Sequence, residues 1–173
     1  IIEQIGEIPE GETVLDAGAG ERPYKRHCEH LIYSSQDFGQ YNGEGDGKGI
    51  KTKIWDNEGL DYVCDITNIP VPDNYFENVL CTEVLEHVPD PVNAIKELHR
   101  VLKPGGRLII TAPFNSLTHF APFHFSTGFS SYFYSHWSNI LNIEIKKLVP
   151  NGNYFEYLAQ EVRYVKSVAE NYN

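Results

Sequence analysis

The feature that most constrains this chain is VLDAGAGERPY at residues 14–24, where the short strand TVLDA (13–17) runs straight into a glycine-rich turn. Gly18 and Gly20 allow the backbone to bend tightly and to approach a ligand closely. A nicotinamide-type G-x-G-x-x-G turn would place a third glycine three residues after Gly20. Pro23 stands there instead, so the diphosphate fingerprint is broken. No G-x-x-x-x-G-K-[ST] loop for a nucleotide triphosphate occurs either. The turn suits a ligand that lacks a diphosphate, and Pro23 is placed to open a helix.

Strands and helices then alternate. LIYSSQD (31–37) reads as a second strand, DYVCDI (61–66) as a third and FENVLCTE (76–83) as a fourth. Residues 38–60 are rich in Gly, Asn and charge and read as a long loop. The best-signalled helix is PVNAIKELHRVLK (91–103). Asp90 caps it, Pro91 takes the first position, and Val92, Ile95, Leu98 and Leu102 recur at helical spacing. PGG stops it and the strand RLIITAP (107–113) follows. A helix near 131–140, a strand near 142–149 and a final amphipathic helix bearing Phe155, Leu158, Ala159, Val162, Val165 and Ala169 complete the pattern. Such alternation predicts a Rossmann-like, doubly wound α/β domain with a mostly parallel sheet, one domain over residues 1–173.

Four chemical motifs fall at the carboxyl ends of successive strands, where open α/β sheets bind ligands. The first is the glycine turn. Asp37 ends the second strand, twenty-one residues after Asp16, in the position from which an acid accepts ribose hydroxyls. Asp65 ends the third strand, where a carboxylate can accept from the exocyclic amine of adenine while Ile66 packs on the ring. CTEVLEHV (81–88) leaves the fourth.

With these residues in view, the chain resembles the class I S-adenosylmethionine-dependent methyltransferases, in the group called type 11. DAGAG is similar to their glycine motif. DITNIPVPDNYFENVLCTEVLEHVPDP is similar to their adenine-binding segment and next strand, and LHRVLKPGGRLIITAPF to their late helix, turn and fifth strand. The resemblance covers about residues 12–115. It implies that Asp16, Ala17, Gly18 and Gly20 contact the methionine part of S-adenosyl-L-methionine. It likewise implies that Asp37 holds the ribose, that Asp65 and Ile66 hold adenine, and that Thr82 and Glu83 border the cofactor near its sulfonium. Glu21 or Arg22 replaces the motif's usual third small residue.

Methyl transfer from a sulfonium is an in-line displacement, so the protein mainly orients the partners and excludes water. A base is needed only where the nucleophile must lose a proton. His119 and His124, in SLTHFAPFHF just after the fifth strand, are the candidate bases. His87, after Glu86, is read as structural. No ligand spacing among the histidines fits a metal, and none is expected. The aromatic run within 114–140 reads as a substrate lid over a small-molecule or saccharide hydroxyl.

Composition narrows the partners. Fourteen Lys plus Arg against twenty-four Asp plus Glu leave a formal charge of −10, which repels phosphate backbones and argues against nucleic acid. Cys28, Cys64 and Cys81 form no CxxC pair and read as reduced thiols of a cytoplasmic protein. No apolar run is long enough to span a bilayer. The sequence begins with Ile and has no Met, so it reads as part of a longer chain. The competing readings are a non-catalytic scaffold that binds an S-adenosyl ligand within a complex and, more remotely, a nicotinamide dehydrogenase.

Overall fold

In the computed structural model, which describes residues 1–46 and 55–171, five parallel strands form one sheet in the order β3-β2-β1-β4-β5. They are β1 (Thr13–Ala17), β2 (Ile32–Asp37), β3 (Tyr62–Val63), β4 (Phe76–Thr82) and β5 (Leu102–Thr111). Four helices accompany them: α1 (Ile2–Gly6), α2 (Pro91–Val101), α3 (Ser131–Ile140) and α4 (Tyr154–Asn171). The chain moves outward from β1 to β2 and β3, then returns to the other side of β1 as β4. The order reverses at that point, between the carboxyl ends of β1 and β4, which is where doubly wound sheets bind their ligands.

Successive side chains of a strand point to opposite faces, and both faces here are apolar. Val14 and Leu80 pack on one face with Ile5 of α1 and with Cys28. Leu15, Val79 and Cys81 pack on the other with Ala94, Ile95, Leu98 and Val101 of α2. The sheet is therefore covered on both sides, as a doubly wound domain requires.

The helix α2 forms as its signals dictate. Pro91 sits at its first turn, and the Asp90 side chain accepts the Asn93 N–H at 2.9 Å. It ends at Val101, two residues before the expected end, because Leu102 already pairs with Phe76 in the sheet. β5 therefore starts earlier than 107 and absorbs the Pro-Gly-Gly turn as an irregularity in its register with β4.

Three expectations need correction. No α-helix opens at Pro23. Arg22 adopts φ 57, and a short 3₁₀ helix, Lys25–His27, takes its place. A 3₁₀ turn rises about 2.0 Å per residue against about 1.5 Å in an α-helix, so it spans a short connection better. The strand expected at 142–149 does not form among the described residues. Its alternating pattern lies exposed beside no partner strand, and a strand without a ladder leaves its backbone groups to water. The third strand shrinks to two residues, because Asp65 closes a turn of its own and Gln36 Nε2 donates to the Cys64 carbonyl at 2.7 Å in place of a ladder bond.

The final helix forms as expected, but its apolar face is bare, with Phe155, Val162 and Val165 all exposed. The described parts of the long loop, 38–46 and 55–60, contain no helix or strand, and its middle lies outside the described residues. No helix among the described residues is long and apolar enough to cross a membrane.

Candidate functional site

The site grows from the ends of β1, β2 and β4. Gly18 follows β1 with φ 74, and Val84 follows β4. A Cβ on Gly18 would lie 2.4 Å from Val84 Cγ2, so only glycine permits these two strand ends to close on each other. The Gly18 and Ala19 N–H groups both donate to the Gln36 carbonyl at 2.8 Å, which fixes the turn against β2. Gly20 comes next, and its N–H donates to Asp37 Oδ2 at 3.0 Å. Asp37 Oδ1 accepts from Gly39 N–H at 2.9 Å. The acid that ends β2 thus grips the glycine turn that follows β1.

An aromatic cluster covers this turn. A Cβ on Gly20 would lie 2.6 Å from the Trp55 indole. Trp55 packs edge-on against Phe120, with ring centroids 5.0 Å apart, and Phe120 lies 4.5 Å from Tyr41. The residues expected to form a lid therefore meet the two described ends of the long loop directly above the glycine turn. The lid's aromatics divide in role. Phe129 is buried in the core and Phe133 packs against it, whereas Phe114, Phe125 and Tyr132 are exposed.

Asp16 is buried on the strand itself and accepts the Tyr33 hydroxyl at 2.7 Å. Burial pushes its carboxyl up to about 6; the Tyr33 bond opposes this and the nearby Asp37 charge adds to it. The Ala17 side chain lies in the core beneath the turn. Asp65 stands apart and exposed, its Oδ1 taken by the N–H and hydroxyl of Thr67 at 2.8 and 2.7 Å. Ile66 is buried in the main core. Thr82 is half-buried, and Glu83 is exposed in the left-handed region at φ 54.

His119 and His124 come together with His87, which arrives from the turn after β4. The His119 and His124 rings are 4.8 Å apart between centroids, and those of His87 and His119 4.6 Å apart. Burial pushes His87 down to about 4, the bond to the Phe123 carbonyl opposes this, and the other two histidines lower it further. His124 is lowered by burial and by His119. Beside His87, Glu86 is buried, and burial pushes its carboxyl up to about 7.

Sequence reasoning passed over Trp55, Gln36, Val84 and Glu86. Only Val84 and Glu86 lay inside a motif already singled out. A groove of about 740 Å³ lies elsewhere, lined by residues such as Arg22, Lys25, Arg26 and Tyr33. It is a shallow depression over the β1–β2 connection and touches neither the glycine turn's carboxylate nor the histidines.

The sequence profile of the family described as a methyltransferase domain matches residues 44–110. Over that stretch the chain is similar to the methyltransferase-domain family. Over 168 residues the chain is 28% identical to a demethylmenaquinone methyltransferase of Renibacterium salmoninarum, covering 94% of this chain and 63% of the relative. A ubiquinone biosynthesis O-methyltransferase of Pseudomonas paraeruginosa is 50% identical over 36 residues, 21% of this chain and 16% of that protein. The chain thus spans less than two thirds of the length of these curated relatives. In fold, the chain superimposes on an S-adenosylmethionine-dependent methyltransferase of Aquifex aeolicus with a TM-score of 0.57 at 20% identity, over 86% of this chain and 80% of that one.

Proposed function

We propose that this domain binds S-adenosyl-L-methionine at the carboxyl edge of its sheet and passes the methyl group to an oxygen nucleophile, a hydroxyl of a small molecule or saccharide. The observation that carries this reading is the coupled pair of contacts at the strand-order reversal, where Gly18 closes on Val84 and Asp37 grips Gly20. That is where a doubly wound sheet receives its ligand.

The residues fit the cofactor in kind. Gly18 and Gly20 present no side chain to a ligand approaching the turn, and Asp37 retains acceptor capacity. Each of its carboxylate oxygens has two lone pairs and takes one backbone donor here. On this reading Asp16, Ala17, Gly18 and Gly20 hold the methionine part, Asp37 the ribose, and Asp65 and Ile66 the adenine. Thr82 and Glu83 border the sulfonium end. The Trp55 indole beside Gly20 supplies an aromatic face at the same edge. When bound, the cofactor supplies a methyl group on a sulfonium and a neutral thioether leaving group.

The remaining requirement is a proton acceptor. His119 Nδ1 lies 2.8 Å from the Leu117 carbonyl, which can only accept, so Nδ1 carries the proton and Nε2 is left to take one from the acceptor hydroxyl. Burial keeps His124 neutral and able to share that role. The exposed rings of Phe114 and Phe125 suit an acceptor with an apolar or sugar ring. The relatives' names, a demethylmenaquinone methyltransferase and an O-methyltransferase of ubiquinone biosynthesis, support a small-molecule acceptor. The net charge of −10 favours such an acceptor over a nucleic acid, and the three free cysteines suit the cytoplasm.

The test is transfer of label from methyl-labelled cofactor to a panel of phenols, quinols and sugars. The reading predicts an O-methyl ether, with His119→Ala and His124→Ala slowing turnover while S-adenosylhomocysteine still binds. Ligand binding without transfer to any acceptor would favour a non-catalytic scaffold.

A further inference from the structure

The geometry points to a metal site: we propose that His87, His119 and His124 together bind one divalent transition ion of the zinc class, which ties the aromatic loop after β5 to the edge of the sheet. Among the described residues these three form the one group able to hold an ion, with one ring nitrogen of each within 4.8 Å of one in each of the others. Sequence spacing hides the site, because His87 lies thirty-two residues before His119 and only the fold joins them.

The hydrogen bonds aim the rings. His87 Nδ1 lies 2.6 Å from the Phe123 carbonyl, and His119 Nδ1 lies 2.8 Å from the Leu117 carbonyl. Carbonyls only accept, so both Nδ1 atoms are protonated and both Nε2 atoms carry a lone pair. An outer N–H donated to a backbone carbonyl is the arrangement that orients metal-ligating histidines. His124 supplies an independent sign. Both of its ring nitrogens are buried, and neither has a hydrogen-bond partner among the described residues. A buried imidazole with no partner is costly, and an ion at its lone pair removes that cost.

The surroundings suit a dication. Glu86 is 1% exposed, its Oε1 lies 3.7 Å from His87 Nε2, and its Oε2 has no partner among the described residues. A carboxylate there balances charge and can take a coordination position. Zinc–imidazole bonds of about 2.0–2.1 Å in a tetrahedron set ligand nitrogens about 3.4 Å apart, so the three rings draw in slightly on binding. Three protein ligands leave one position open, the pattern of a reactive rather than a purely structural centre. If the hydroxyl-acceptor reading holds, an acceptor hydroxyl bound in that position would have its pKa lowered by the ion's charge and would release its proton to water, with the imidazoles acting as ligands instead of bases.

The experiment is calorimetric titration of the untagged, chelator-treated chain with Zn²⁺, repeated with Co²⁺ to read the visible bands of a low-coordinate ion. We expect one equivalent of micromolar or tighter affinity, intense cobalt bands, and a rise in Tm with zinc. His119→Ala and His124→Gln should each weaken binding at least tenfold and abolish the Tm rise, while His136→Ala, outside the cluster, should not. Absence of saturable binding by the parent chain overturns the proposal, as does zinc affinity unchanged by both cluster variants. Circular dichroism confirms that each variant is folded. S-adenosylhomocysteine titrated into the same parent sample separates the two readings, since loss of metal binding with retained nucleoside binding removes the metal site alone.

Discussion

Asp37 accepts the Gly20 N–H at one carboxylate oxygen and the Gly39 N–H at the other, at 3.0 and 2.9 Å. One side chain thereby holds the turns that follow both β1 and β2. Because Asp37 is 7% exposed, water cannot readily replace it. Asp37→Ala should cost about 2–4 kcal/mol, since it leaves two enclosed donors unpaired, and Asp37→Asn should cost less because one acceptor survives. Urea unfolding of the two variants checks this ranking.

Gly18 and Val84 make a second prediction. Gly18→Ala combines a φ of 74 with a methyl 2.4 Å from Val84 Cγ2. It should destabilise the domain by about 2–4 kcal/mol. Val84→Ala should relieve part of the clash, so the double variant should be more stable than the sum of the two single changes. A double-mutant cycle measures that coupling.

The third prediction concerns pH. The folded-state carboxyl of Asp16 titrates at about 6, above its ordinary 3.8. The folded protein therefore holds this proton more tightly than the unfolded chain. The associated stability is fully present below about pH 4 and is lost as pH rises through about 6, on the order of 1–3 kcal/mol. Asp16→Asn keeps an acceptor for the Tyr33 hydroxyl and cannot ionise. Its stability relative to the parent should therefore rise between about pH 4 and pH 7. Urea midpoints across that range decide it.

The loop that leads from β3 to β4 is latched from α2. Glu97 Oε1 accepts the Ile69 N–H at 2.7 Å, and both Glu97 oxygens accept from Arg100 at 2.7 Å. Arg100 in turn donates to the Ile69 and Val71 carbonyls at 3.0 and 2.9 Å. The Arg100 guanidinium holds the Glu97 carboxyl below its usual range, so this contribution is present above the ordinary carboxylate pKa and is lost as pH falls. Glu97→Gln should cost about 1–3 kcal/mol near neutrality, with less difference from the parent in acid. Asp73→Asn, whose side chain is 70% exposed, should cost little. Thermal melts at neutral and acid pH test both statements.

Elements whose signals are local were legible in the sequence. β1, β2, β4 and α2 lie within two residues of their expected bounds, because each combines an apolar run with its own stop or cap, as Asp90 and Pro91 do for α2. The place of Asp37 at the end of β2 was legible through spacing, whereas its hydrogen bond to the Gly20 N–H was not. What failed depended on neighbours. The pattern around Ile143 and Ile145 is that of a strand, but no described strand lies beside it. Pro23 is a sound helix opener, but the connection closes in 3₁₀ turns that bury Cys28 against Ile5, Val14 and Leu80. His87 joins His119 and His124, and Trp55 covers Gly20, only because distant loops fold over one sheet edge; spacing along the chain carries no trace of either contact.

The central claim is that the carboxyl edge around Gly18, Gly20, Asp37 and Asp65 is an S-adenosyl pocket. Calorimetric titration with S-adenosylhomocysteine, comparing the parent chain with Asp65→Ala, tests it most directly. Asp65 is exposed, so its removal should leave the fold intact. The account predicts micromolar binding by the parent that weakens at least tenfold in the variant. A folded parent that binds no S-adenosylhomocysteine would contradict it.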